Sequence, residues 1–328
     1  MLTDQVAKSW TTYQQPTIPR PMPLMKPLWG HIGTLIKTAT MSAPRTYLSS
    51  TSRPPTPAKP ARLDDYLGLS HAPQSNKPCI VKPMTIIVED GPDGAVPGFL
   101  HLPPTASATP SSRTAAILLS GAGGGIVGPS SIYLSLADKL ASLVQPVPAL
   151  RLDYRYPARS KYCVSDVLSA MDELESRYGI NNFVLVGWSF GGAPVFTIGG
   201  SDPRIVGCAT VASQTAETEG ILTLSPKPLL LLHGTGDRTL SKSCSESLYE
   251  RYGSKGDRHL HLFPNDDHAL TKNSLEAEQL IGGFILKCAG IQAGSGDEGV
   301  LAEKLVDDEE KVKLMARGGD LRRNESVE

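Results

Sequence analysis

From Lys82 onward, short apolar runs alternate with stretches in which apolar residues recur every three or four positions. Met84 to Glu89 and Val96 to Leu102 read as strands, and Asp90-Gly91-Pro92-Asp93-Gly94 supplies the turn chemistry that joins them as a hairpin. Pro103 to Ser112 is a loop. Further strands are predicted at Thr114 to Leu119, Val147 to Leu152, the run beginning at Phe183, Arg204 to Ala212, Pro228 to His233 and Arg258 to Phe263. Helices are predicted between them, over about 131–143, 165–178, 190–198, 241–252 and 275–288. The second carries Val167, Leu168, Met171 and Leu174 at helical spacing and stops at Gly179; the last has Ser274 as N-cap. This alternation predicts an α/β fold, a doubly wound, mostly parallel sheet with an antiparallel hairpin leading in.

The two ends depart from that pattern. Residues 1–78 are rich in Pro, Ser and Thr, and no Asp or Glu lies between Gln5 and Leu63, while eight Lys and Arg do. Such a segment reads as a disordered or targeting extension, with an organelle transit peptide as one form and Met41 as an alternative start. The expected folded domain is 79–290. After it, 291–328 reads as a charged tail with a short helix near Val300 to Arg317, either solvated or docking a partner or a second copy.

Charge and composition narrow the partners. The 328 residues suffice for one large α/β domain with extra segments, and a net charge of -1 offers no long-range field for nucleic acid or an anionic membrane. No apolar run approaches the ~18 residues that span a bilayer. Cys79, Cys163, Cys208, Cys244 and Cys288 are odd in number, widely spaced and free of C-x-x-C. That favours a reducing compartment and argues against a disulfide framework or a zinc site. A cytoplasmic location is expected, with a mitochondrial or other organelle location as the alternative.

The chemistry centres on Gly187-Trp188-Ser189-Phe190-Gly191 at the end of an apolar strand. A G-x-S-x-G pattern makes a sharp strand-to-helix turn that exposes the central hydroxyl. A Ser nucleophile needs a base and a carboxylate to fix that base. Asp237 follows the strand ending at His233, and His268 follows the strand ending at Phe263, so the order is Ser189, Asp237, His268. Two backbone N–H groups are needed for the oxyanion; Phe190 would give one and Ala122, or next Gly123, the other. Glu217 is an alternative acid. Asp266 and Asp267, on the base's own loop, read as surface residues, His233 as a packing histidine, and His259 and His261 as structural or surface residues. Gly123 to Gly128 also fits G-x-G-x-x-G, but no acidic residue ends the next strand until Asp153. Asp153 and Arg155 read as a pair bracing nearby loops.

The motifs Leu118-Leu119-Ser120-Gly121-Ala122-Gly123, Asp153-Tyr154-Arg155, Gly187 to Gly192, Leu231-Leu232-His233-Gly234-Thr235-Gly236-Asp237 and Phe263-Pro264-Asn265-Asp266-Asp267-His268 cover about residues 82 to 288. In them the chain resembles the α/β-hydrolases, most closely the dienelactone-hydrolase-like branch. It departs in having Ser189 where that branch's name-giving enzymes have Cys, and Ser120 where many members have His. The resemblance implies a serine hydrolase acting on a small-molecule ester or thioester of modest size through an acyl-enzyme. No cofactor, metal, nucleic-acid partner or membrane span is implied, and oligomeric state is left open. A non-catalytic receptor or scaffold, or an acyltransferase or lyase reusing the triad, are the alternatives. Only about fifteen residues separate Ala212 from Pro228, too few for a helical lid domain.

Overall fold

The computed structural model describes residues 62–322 apart from 67, 92–93 and 105–111. Eight strands form: β1 (Ile80–Ile87), β2 (Ala95–Leu102), β3 (Thr114–Leu119), β4 (Ala149–Leu152), β5 (Asn182–Trp188), β6 (Ile205–Val211), β7 (Leu229–Gly234) and β8 (Arg258–Phe263). They join in one sheet of order β1-β2-β4-β3-β5-β6-β7-β8. β1 and β2 pair antiparallel, as do β2 and β4, and every other pair is parallel. This is the doubly wound sheet with a leading hairpin that the apolar pattern predicts. Strand order reverses at β3, which lies between β4 and β5. Loops leaving β3 and β5 therefore part to opposite faces and open a crevice at the carboxyl edge of the sheet.

Both faces of the central strands are apolar because each is covered. On β5, Val184, Val186 and Trp188 enter one core, while Phe183 and Leu185 enter the other. The first face carries α1 (Ile132–Ala141) and α6 (Ser274–Cys288); the second carries α2 (Ser160–Tyr178), α3 (Gly192–Gly199) and α5 (Ser243–Tyr252). α2 begins earlier than its apolar spacing indicates, with a polar first turn that hides the start, and Cys163 packs inward from it. Between β6 and β7 stands only the single turn α4 (Ile221–Leu224), so no lid domain covers the crevice from that connection. No helix among the described residues is long and apolar enough to cross a membrane.

Both ends of the described chain differ from expectation. Residues 1–61 lie outside the described residues, but the following stretch, read as part of a disordered extension, packs on the first core. It makes a 3-10 turn at Leu63–Tyr66 and buries Tyr66, Leu69 and Ala72. The C-terminal segment folds into α7 (Ser295–Ala302) and α8 (Lys311–Arg317). Leu301, Leu305, Val306, Leu314 and Met315 join the same core, so the segment docks on its own domain. Its charges hid this in the sequence: many face outward, as Lys304 and Asp308 do in pairing at 2.9 Å, while sparse apolar residues and the charged Asp297, Lys311 and Asp320 turn inward.

Candidate active site

Ser189 follows β5 directly. Its φ of 54° lies in the left-handed region, which costs an L-residue roughly 1–2 kcal/mol. A 3-10 turn at Ser189–Gly191 then passes into α3. The tightness of this turn dictates its glycines. A Cβ on Gly187 would lie 2.4 Å from the Gly191 carbonyl oxygen, and one on Gly191 would lie 2.6 Å from that of Ser120. Strand, turn and helix touch backbone to backbone, and Ser189, whose hydroxyl the motif predicts to be exposed, is buried at the carboxyl end of β5.

Asp237 and His268 come from the loops after β7 and β8 and meet. His268 Nδ1 lies 2.7 Å from Asp237 Oδ2, with both side chains buried. Asp237 Oδ1 accepts the N–H groups of Thr239 and Leu240 at 2.8 Å each. Burial alone would raise the Asp237 pKa, but hydrogen bonds from His233 and His268 outweigh it and hold the carboxyl well below the usual carboxylate range. Trp188 connects this pair to the elbow: its Nε1 donates to the His268 carbonyl at 3.0 Å, and its ring lies 5.5 Å from the imidazole, centroid to centroid. The residue preceding Ser189 thus seats the loop that carries His268.

The competing residues have other employment. Glu217 is exposed. Asp266, expected at the surface, is instead fully buried, and with Asp267 it accepts backbone N–H groups of its own loop, from Lys272, Asn273, Ala269 and Thr271, and so shapes it. His259 pairs with Asp257 at 2.7 Å, and His261 lies 3.8 Å from Glu276. His233 does more than pack. Its Nε2 lies 3.1 Å from Asp237 Oδ2 and 3.0 Å from the Leu240 carbonyl, and its Nδ1 lies 2.7 Å from Ser245 Oγ. It helps hold the Asp237 carboxylate beside His268, and its place four residues before Asp237 at a strand end was the available signal.

The Gly-rich loop after β3 is held from outside its own sequence neighbourhood. Gly125 donates its N–H to Asp153 Oδ1 at 2.6 Å. Val127 and Gly128 donate to Asp320 at 3.1 and 2.7 Å, Ser120 Oγ donates to Asp320 Oδ1 at 2.5 Å, and the Ile126 N–H donates to the Gly318 carbonyl at 3.2 Å. The acceptor cradled by the formal G-x-G-x-x-G is therefore the side chain of the chain's own Asp320. Burial pushes the Asp320 pKa up to about 7, against the pull of these donors. The Gly124 N–H returns to the Gly121 carbonyl. Ahead of this braced stretch stand Ala122 and Gly123, and the Gly123 N–H has no partner among the described residues.

Asp153 is the second anchor. It accepts hydrogen bonds from Tyr66, from its neighbour Tyr154 N–H at 2.8 Å and from Arg322 Nη1 at 3.1 Å, besides that from Gly125. Its expected partner Arg155 instead pairs with the buried Asp166 and, at 2.7 Å, with Asp90. Tyr66, Asp320 and Arg322 carried no sequence signal, because they reach the loop from the two ends of the described chain.

No protein-family model matches the chain. Solved structures do match it in architecture. A protein of unknown function from Agrobacterium tumefaciens superposes with a TM-score of 0.52 at 20% identity, covering 64% of this chain and 97% of that one. The esterase domain of a Rhodothermus marinus protein superposes with a TM-score of 0.51 at 17% identity, covering 63% and 98%. Est1E from Butyrivibrio proteoclasticus does so at 0.51 and 16%, covering 63% and 99%. The chain has the α/β-hydrolase fold. In sequence it is 30% identical over 147 residues to the uncharacterized protein YfhR of Escherichia coli O157:H7, across 35% of this chain and 51% of that protein. The chain thus spans about half the length of the curated relative it matches. The α/β-hydrolase sheet supplies the edge from which Ser189, Asp237 and His268 all project.

Proposed function

We propose that the protein is a serine hydrolase that cleaves an ester or thioester of modest size. The observation that carries this reading is the buried 2.7 Å contact between His268 and Asp237, joined through Trp188 to the strained elbow of Ser189. Asp237, held ionised, accepts from His268 Nδ1, which leaves Nε2 to act on the Ser189 hydroxyl. His268 takes the hydroxyl proton as Ser189 Oγ attacks the acyl carbonyl. The tetrahedral oxyanion is received by the N–H of Phe190 and that of Ala122 or Gly123. The leaving group takes the proton back from His268 and departs. Water, deprotonated by the same imidazole, attacks the acyl-enzyme and releases the acid and free Ser189. The short β6–β7 connection supports an open site, and esterases with this fold, at low identity, are compatible with the ester assignment.

The test is labelling with a fluorophosphonate probe, followed by a panel of p-nitrophenyl esters and acyl-CoAs of graded chain length. The wild-type protein is expected to label and to turn over short acyl esters, and Ser189→Ala to do neither. Equal labelling of Ser189→Ala, or an unlabelled wild type, overturns the reading and leaves the fold as a binding scaffold.

A further inference from the structure

A second cluster of reactive side chains lies outside the hydrolase machinery. The stretch that leads into β1 crosses α1 and brings His71 and Cys79 to the buried Asp138. Asp138 Oδ1 lies 3.0 Å from His71 Nδ1 and 3.3 Å from Cys79 Sγ, and those two atoms lie 3.7 Å apart. Tetrahedral zinc bound by one sulfur, one nitrogen and one oxygen sets such atoms about 3.3–3.6 Å apart, given bond lengths of roughly 2.0–2.3 Å. The three atoms therefore already outline one face of a zinc tetrahedron.

Their surroundings are those of a ligand set. His101 also lies 3.0 Å from Asp138 Oδ1 through its Nδ1. Arg151 Nε donates to His101 Nε2 at 2.9 Å, so His101 keeps its proton on Nδ1 and donates it to the carboxylate. Arg151 is itself fixed by the carbonyls of Leu69, Ser70 and Ile126. Asp138 Oδ2 accepts the Ala72 N–H at 3.0 Å. An outer shell thus orients the carboxylate, as outer shells orient metal ligands. Without a cation, the two lone pairs of Oδ1 face three donor groups: two imidazoles and a thiol. With one, the His101 N–H and the metal satisfy both lone pairs.

We propose that His71, Cys79 and Asp138 bind a divalent cation of the zinc class, with water as fourth ligand. The mixed thiolate, imidazole and carboxylate set favours zinc over magnesium or calcium, which take oxygen donors. Binding exchanges the Cys79 thiol proton for the metal; His71 ligates through Nδ1 and keeps its proton on Nε2. The half-exposed His71 leaves the fourth position open to solvent. The site ties the segment before β1 to α1. The spacing of the cysteines, without C-x-x-C, argued against zinc; the ligands come from positions 71, 79 and 138, which only the fold assembles.

The test is cobalt(II) titration of the metal-stripped full-length protein, followed by competition with zinc. Roughly one equivalent is expected to bind with a near-ultraviolet thiolate-to-cobalt band, which zinc abolishes. Cys79→Ala should lose the band, and His71→Ala should weaken binding about 100-fold or more. Zinc should also slow thiol-reagent labelling of Cys79 in the wild type, a readout that needs no variant to fold. A wild type without the band, a band retained in Cys79→Ala, or Cys79 labelling unaffected by zinc overturns the proposal.

Discussion

The two glycine-rich turns that frame the crevice differ in what makes them glycine. At the elbow one constraint is local, Gly187 facing the Gly191 carbonyl, and the other comes from the end of the neighbouring strand β3, Gly191 facing the Ser120 carbonyl. In the loop after β3 the constraint comes from afar. A Cβ on Gly125 would lie 2.5 Å from the Asp320 nitrogen, and one on Gly123 2.7 Å from the Asp320 oxygen. Ser120 and Asp320 stand 200 residues apart in sequence. A motif whose glycines serve its own turn can be read in a short window; one whose glycines admit a distant segment cannot. The second loop was expected to present an N–H of Ala122 or Gly123 to a substrate, and what closely approaches Gly123 and Gly125 is the C-terminal segment.

Substitutions at the two turns can break this contrast. The largest effect is expected at the elbow. Ser189→Ala should lower kcat about 10⁴-fold or more with an unchanged melting temperature, because only the hydroxyl is lost. Steady-state kinetics on the best ester, with a thermal melt, checks both halves; activity within tenfold of wild type would sink the nucleophile assignment.

At the distant brace, stability should respond together with activity. Asp320→Ala strands Ser120 Oγ and the N–H groups of Val127 and Gly128, at roughly 3 kcal/mol or more in all. Denaturant unfolding measures the loss. Asp320→Asn, which keeps an acceptor oxygen, should recover part of it; equal losses in both would refute the hydrogen-bonding account.

The brace should also titrate. Asp320 is held at about 7, against 3.8 for an unperturbed carboxyl, and it faces Asp153, Arg151 and Tyr133. The folded state therefore keeps a proton that the unfolded chain has released, and this contribution falls as pH rises from about 4 to about 7, then levels off. Unfolding free energies across that range should slope less in Asp320→Asn than in wild type. Parallel pH curves would refute the shift.

Smaller effects separate glycines that are needed from those that are not. Gly125, at φ 101°, should lose about 2 kcal/mol as Gly125→Ala from backbone strain and displacement of Asp320. Gly283, in α6 with nothing near its Cβ position, should gain about 0.5–1 kcal/mol as Gly283→Ala. Melting the two variants side by side checks the pair.

The hairpin, the parallel strands and the placement of Ser189, Asp237 and His268 just past the ends of β5, β7 and β8 were legible because each is local. Periodicity marks a strand, G-x-S-x-G marks the elbow, and a carboxylate and a histidine stand just past strand ends. The start of α2 was not legible, because its first turn is polar. The contact of His233 with Asp237 was not legible either, because it runs from the end of β7 to the loop that follows, where spacing does not reveal which way a side chain points.

The sequence by itself determined the sheet, its winding and the residues at its carboxyl edge, because alternation of apolar runs and turn chemistry acts over a few residues. Tertiary structure alone decided what holds the Gly-rich loop and what gathers around Asp138. Both depend on contacts between the ends of the described chain and its middle, where a charged segment buries a few apolar residues and the carboxylates of Asp297 and Asp320. Such contacts leave no period in the sequence, since the groups that meet are chosen by the fold after the local elements have formed.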